Sequence, residues 1–179
     1  MKHFINAGRV FYAIAIIVYG IQQFIYGNFR NVLFPPWQFQ LPLLPVWAYI
    51  FGIFLIGSGV AIMFLRNARN IVLLLGGVLL FLFCFLQVPY ELISEPNKSY
   101  HFGLWVNALK EFALTGGAFV IAGTFQANSS AASGTNFMRF LEKIIPYGNI
   151  FFCIYYGKLR GQPFYIHGIC KPISAVVGA

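Results

Sequence analysis

Four long apolar stretches alternate with short polar segments along the chain, at residues 10–29, 46–65, 70–90 and 102–125. The first three contain no charged residue, and the fourth carries one Lys-Glu pair. A helix needs about 20 residues, at 1.5 Å each, to cross the hydrocarbon core of a bilayer. The pattern therefore predicts an all-α protein whose first domain, residues 1–125, is a four-helix transmembrane bundle.

A different pattern follows the fourth stretch. Residues 126–136 are small, polar and uncharged, which predicts a cytoplasmic linker over residues 126–143. Residues 144–154 then match residues 4–14 at a constant offset of 140, with identical Gly, Phe and Ile. The apolar pattern stops after residue 156, so the region 144–179 is interpreted as a truncated fifth apolar segment with a poorly ordered tail. It is either a second four-helix copy cut short, for which we hypothesise a reading-frame change, or an interfacial tail.

Composition supports lipid as the surrounding medium. Only 9% of the residues are charged, 19% are aromatic, and the mean hydropathy is +0.74. The net charge of +8 does not indicate nucleic-acid binding, because Lys and Arg lie between the apolar stretches rather than along one face. The partner predicted by composition is therefore the lipid bilayer.

The distribution of positive charge predicts the orientation. Six Lys and Arg residues fall on the side of the N-terminus and two on the opposite side, which places the N-terminus in the cytoplasm. The basic start and first apolar stretch resemble a signal peptide, but no small-residue cleavage site follows, so a retained first helix is expected.

The first outer connection, residues 27–45, contains four prolines and several aromatic residues. The prolines exclude a regular helix there. The segment is interpreted as an interfacial anchor or, alternatively, as a lid over a cavity. Small residues in the second, third and fourth stretches predict close helix contacts.

Polar side chains inside the apolar stretches are the candidate site, because burying them in lipid is costly. Glu111 is too short to reach the interface and should point into the bundle, whereas the longer Lys110 can extend outward. The direction in which each helix crosses the membrane places polar residues of the first and third stretches at a depth similar to that of Lys110 and Glu111. The predicted cluster comprises Tyr19, Gln22, Gln23, Gln87, Asn107, Lys110 and Glu111. It is either a hydrogen-bond network that holds the helices together or a site for a small polar or quinone-like ligand or a proton.

Recognisable catalytic chemistry is absent from the sequence. The three cysteines form no metal-type spacing, the three histidines do not pair at one depth, and no nucleotide-binding or triad motif appears. The sequence therefore predicts no catalytic residue, no metal site and no enzyme activity, and no cofactor other than a quinone.

Several short motifs, taken in order, resemble the DoxX family of small four-helix bacterial membrane proteins over residues 4–125. They are Gly8-Arg9-Val10-Phe11-Tyr12, Tyr19-Gly20-Ile21-Gln22-Gln23-Phe24, Pro35-Pro36-Trp37, Tyr49-x-x-Gly52 with Gly59, and Trp105-x-Asn107-x-x-Lys110-Glu111 with Gly116-Gly117. The chain departs from the family at Gln22-Gln23, where many relatives carry a lysine.

The resemblance implies a bacterial inner-membrane location and Lys110-Glu111 as a characteristic polar pair. The family takes its name from a subunit of a thiosulfate:quinone oxidoreductase, and some members associate with redox-defence enzymes. An accessory subunit of a membrane redox complex, with a membrane or periplasmic redox partner, is therefore expected. The alternative is a small transporter or a protein that binds a quinone or lipid.

Overall fold

The computed structural model describes residues 2–35, 43–65, 67–94, 102–125, 136–148 and 150–151, and every regular element in these residues is helical. The elements are α1 (Lys2–Tyr26), α2 (Leu44–Phe64), α3 (Arg69–Leu82), a π-helix (Phe83–Gln87), α4 (Val88–Ser94), α5 (Phe102–Thr124), α6 (Asn136–Ile144) and a 3₁₀ turn (Ile145–Tyr147). The all-α prediction is confirmed for the described residues.

Three helical segments are long and apolar enough to cross a membrane: His3–Tyr26, Leu44–Phe64 and Arg69–Ile93. The last of these is a continuous rod formed by α3, the π-helix and α4. The fourth predicted span coincides with α5, which has 23 residues and includes Lys110 and Glu111. Helix α1 begins eight residues before the charge-free stretch, because Arg9 is accommodated by hydrogen bonds to Thr124 of α5.

The helices pack mainly as two pairs, α1 with α2 and α3 with α5. Glycines bring the first pair together: a Cβ atom added at Gly20 would lie 2.8 Å from the carbonyl oxygen of Gly52. One at Gly59 would lie 2.5 Å from Ile17 and 2.9 Å from the carbonyl oxygen of Ala13. The predicted small-residue contact is thus present on one face of α2, whereas Gly57 faces away and has no neighbour there.

The second half of the predicted linker is a helix. In α6, Leu141 is 1% exposed and its methyl groups approach Gly77 of α3. Apolar positions three and four residues apart give this short helix one buried side, a pattern that the small polar residues before it obscure. Residues 126–135, the first part of that linker, lie outside the described residues.

The described part of the segment that matches residues 4–14 lies along α5. Phe151 approaches Gly116, and its ring lies 4.3 Å from that of Phe112. Gly148 packs against Phe119 and Val120, so the segment runs antiparallel to α5. The predicted truncation after residue 156 and the poorly ordered tail, residues 157–179, lie outside the described residues.

The connection after α1 folds back onto the bundle in its first part. Gly27 ends the helix with a positive φ of 59°, a conformation that glycine adopts without steric cost. Leu33 is 1% exposed, and the ring of Phe29 lies against those of Phe34 and Phe51. Residues 36–42, which carry the rest of the anchor-or-lid prediction, lie outside the described residues.

Candidate functional site

Three polar side chains are completely enclosed within the helical bundle. Gln23 of α1 and Glu111 of α5 are 0% exposed, and Gln87 of the π-helix is 1% exposed. We call these three residues the buried polar cluster. Burial of this kind is unusual for such residues, since Gln and Glu are mostly exposed in proteins.

Helix register places Gln23 and Glu111 toward the same end of the bundle. Arg9 donates hydrogen bonds to the side chain and carbonyl oxygens of Thr124, which marks one common level on α1 and α5. Gln23 lies about 21 Å from that level along α1, and Glu111 about 20 Å along α5, at 1.5 Å per residue. The two helices are antiparallel, so both distances run toward the same end of the bundle.

Ring contacts place Gln87 close to the level of Glu111. The rings of Phe83 and Phe112 lie 4.8 Å apart, and Gln87 is one turn beyond Phe83. The offset between Gln87 and Glu111 along the bundle is therefore about 4 to 5 Å. Side chains lean toward the N-terminus of their helix, so in these antiparallel helices the two side chains lean toward each other. The Cys84 thiol also lies within electrostatic range of Glu111.

The π-helix that carries Gln87 has a local cause. Pro89 has no N–H group and cannot donate the hydrogen bond that a regular α-helix needs at that position. The N–H of Val88 donates to the carbonyl oxygen of Phe83, five residues back. π-Helical turns of this kind are rare and occur often at functional sites. The sequence analysis did not predict it, although a proline inside an apolar stretch is the signal that indicates such a break.

None of the three side chains is fully satisfied within the described part of the chain. Neither the amide nitrogen nor the amide oxygen of Gln23 has a hydrogen-bond partner, and both carboxyl oxygens of Glu111 also lack one. The amide oxygen of Gln87 also has no hydrogen-bond partner. A buried polar group left unsatisfied costs about 1–3 kcal/mol. The buried polar cluster therefore differs from the satisfied network that one interpretation of the sequence predicts.

The other predicted site residues take different positions. Tyr19, Gln22 and Asn107 are half-buried, whereas Lys110 is exposed on the outer face of α5. This arrangement follows from the helix, because adjacent residues point about 100° apart. Lys110 therefore does not face the enclosed carboxyl group of Glu111. The hydroxyl of Thr115 donates to the carbonyl oxygen of Glu111 and leaves its carboxyl group uncontacted.

Glu91 directly follows the third predicted span, but it lies in α4 and is 7% exposed. It follows Gln87 by one helical turn on the same side of the rod. Its spacing from Gln87 is the signal that could have indicated burial. Glu91 extends the polar side of this rod toward the end of the bundle.

The described residues contain no group of three His, Cys, Asp or Glu side chains that could hold a metal ion. Hydrogen-bond donors and acceptors within an apolar bundle, rather than metal ligands, therefore define the candidate site. Fold and site together describe a small helical protein with at least three segments suited to crossing a membrane. No family model matches the chain, and no curated protein or solved structure matches it either.

Proposed function

We propose that this chain is a small four-span membrane protein that holds a quinone-type molecule at the buried polar cluster and has no catalytic centre of its own. The observation that carries the proposal is the set of unsatisfied polar atoms on Gln23, Gln87 and Glu111. A bound ligand with polar atoms would satisfy these groups and offset the free-energy cost of burying them. In this proposal α5 is the fourth span.

The cluster has the donor and acceptor groups that such a ligand needs. The amide nitrogen of Gln23 can donate to a quinone carbonyl, and the oxygens of Gln87 and Glu111 can accept from a quinol hydroxyl. When bound, the quinone supplies the electron-carrying chemistry, and the side chains orient its polar atoms and exclude water.

An accessory role fits a site of this kind. A protein that binds a quinone-type molecule without transforming it would deliver that molecule to a redox partner in the same membrane or in the periplasm. The order of the DoxX-like motifs supports this interpretation, since the family is named after a subunit of a quinone-linked oxidoreductase. A stoichiometric redox enzyme should therefore co-purify with the protein in mild detergent.

Ligand retention tests the binding proposal directly. The protein would be purified in mild detergent and extracted with organic solvent, and quinones in the extract would be quantified by absorbance and mass spectrometry. We expect the wild-type protein to carry a quinone, and the Gln23→Leu variant to carry about 2- to 10-fold less, because one hydrogen bond between neutral groups contributes about 0.5–1.5 kcal/mol.

Lys110→Met is the control, because Lys110 is next to Glu111 on α5 but its side chain is exposed. This variant should retain the wild-type quantity of quinone. A wild-type extract without quinone, or equal retention by the Gln23→Leu and Lys110→Met variants, would contradict the proposal.

The proposed orientation places the N-terminus and the turn between α2 and α3 in the cytoplasm of a bacterium. Reporter fusions would test it: a periplasmically active phosphatase joined after Asn67 should be inactive, and the same enzyme joined after Asn31 should be active. The reverse pattern would show that the orientation is inverted.

A further inference from the structure

A groove at the opposite end of the bundle from the buried polar cluster separates α1 from α5. Its volume is about 300 Å³, and its walls are almost entirely apolar. Phe4, Ile5 and Gly8 form the wall from α1, and Gly117, Val120 and Ile121 form the wall from α5. The volume is at the lower end of the range for ligand pockets.

Arg9 lies beside this groove and holds the two helices together. Its Nε atom donates to Thr124 Oγ1 at 2.8 Å, and one of its terminal nitrogens donates to the Thr124 carbonyl oxygen at 2.5 Å. The guanidinium also lies over the ring of Phe125, 4.0 Å from its centre. These contacts are all with neutral groups, so within the described part of the chain the positive charge of Arg9 has no carboxylate partner.

Other positive charge surrounds the same end of the bundle. Arg69 donates to the carbonyl oxygen of Phe125, so two guanidinium groups meet at this residue. Arg69 is paired with Glu142 at 3.3 Å, whereas Arg9 is not. Basic pockets between transmembrane helices near the cytoplasmic surface are a known arrangement for binding anionic lipid headgroups.

We infer that the groove between α1 and α5 is a specific site for an anionic phospholipid, with one acyl chain between the apolar walls and the phosphate beside Arg9. Charge complementarity identifies the occupant, because a partly buried guanidinium beside an apolar groove matches a molecule with a hydrocarbon chain and a negative headgroup. The inference does not depend on the quinone proposal, since the two sites lie at different levels of the bundle and share no residue.

Gly8 permits a direct test by filling the groove. A Cβ atom added at Gly8 meets nothing within 4 Å, so Gly8→Leu places a side chain in the groove without a clash at its first atom. Gly57→Leu is the matched control, because a Cβ atom at Gly57 of α2 also meets nothing and this residue does not line the groove. Both substitutions replace a helical glycine by the same side chain.

The measurement is thermal unfolding of the full chain in a neutral detergent, with added dioleoylphosphatidylglycerol or dioleoylphosphatidylcholine. At about 100 times the dissociation constant, phosphatidylglycerol should raise the Tm of the wild-type protein and of Gly57→Leu by roughly 5–10 °C. It should raise the Tm of Gly8→Leu by less than half as much. Phosphatidylcholine should have a smaller effect on the wild-type protein. Native mass spectrometry should show one retained anionic lipid on the wild-type protein.

A second pair of variants covers the case in which Gly8→Leu fails to fold. Ile5→Trp enlarges a side chain that lines the groove, and Ile25→Trp makes the same change at an exposed position near the other end of α1. Only Ile5→Trp should reduce the phosphatidylglycerol response. Equal responses to the two lipids, or equal responses in the groove variants and their controls, would overturn the inference.

Discussion

A Glu111→Leu variant is expected to be more stable than the wild-type protein freed of quinone, and to bind no quinone itself. The carboxyl oxygens of Glu111 have no hydrogen-bond partner in the described part of the chain, and the side chain is 0% exposed. Replacing an unsatisfied buried polar group by an apolar one of similar size removes its desolvation cost, which is about 1–3 kcal/mol. Thermal unfolding in detergent should therefore show a Tm increase of several degrees, while extraction should recover at least about 10-fold less quinone.

The sign of the stability change distinguishes a binding site from a packing network. A polar network that holds helices together would be disrupted by Leu, and the free energy of unfolding would fall. Glu111→Gln keeps the shape and a hydrogen-bonding group, so it should lie between the wild-type protein and Glu111→Leu in both measurements. Lys110→Met, on the exposed face, should change stability by no more than about 0.5 kcal/mol. A less stable Glu111→Leu protein that retains its quinone would refute the binding role.

Gly59→Ala should destabilise the protein, whereas Gly57→Ala should stabilise it. A Cβ atom at Gly59 would lie 2.9 Å from the backbone oxygen of Ala13, so α1 and α2 must move apart to accommodate one methyl group. Overpacking of this kind costs about 1–3 kcal/mol. A Cβ atom at Gly57 meets nothing, and the exchange of Gly for Ala in a helix contributes about 0.5–1 kcal/mol of stability.

Thermal or denaturant unfolding of the two variants in the same detergent measures the difference directly. The two residues are two positions apart on one helix and gain the same methyl group. The two variants therefore have the same composition and the same change in helix propensity. Opposite signs for the two changes are expected. Equal stability of the two variants would show that the close contact between α1 and α2 does not determine the packing of this pair.

The sequence alone was sufficient for the helices that suit a membrane. A membrane span needs a long apolar run, and this requirement is local, so it is visible in residues 10–29, 46–65 and 70–90. Glu111 could also be expected to point inward, because a short carboxyl side chain in an apolar helix cannot reach the interface.

Only the tertiary structure decided which of these polar residues are enclosed and whether they are satisfied. Rotation of α1 encloses Gln23 and leaves Tyr19 and Gln22 half-buried, and the π-helix before Pro89 turns Gln87 into the bundle. Packing along α3 likewise made a helix of residues 136–144, which the sequence had assigned to a linker. Apolar length is a property of one segment, whereas the pairing of buried polar atoms depends on the relative rotation and register of several helices. Hydrophobicity does not encode that geometry.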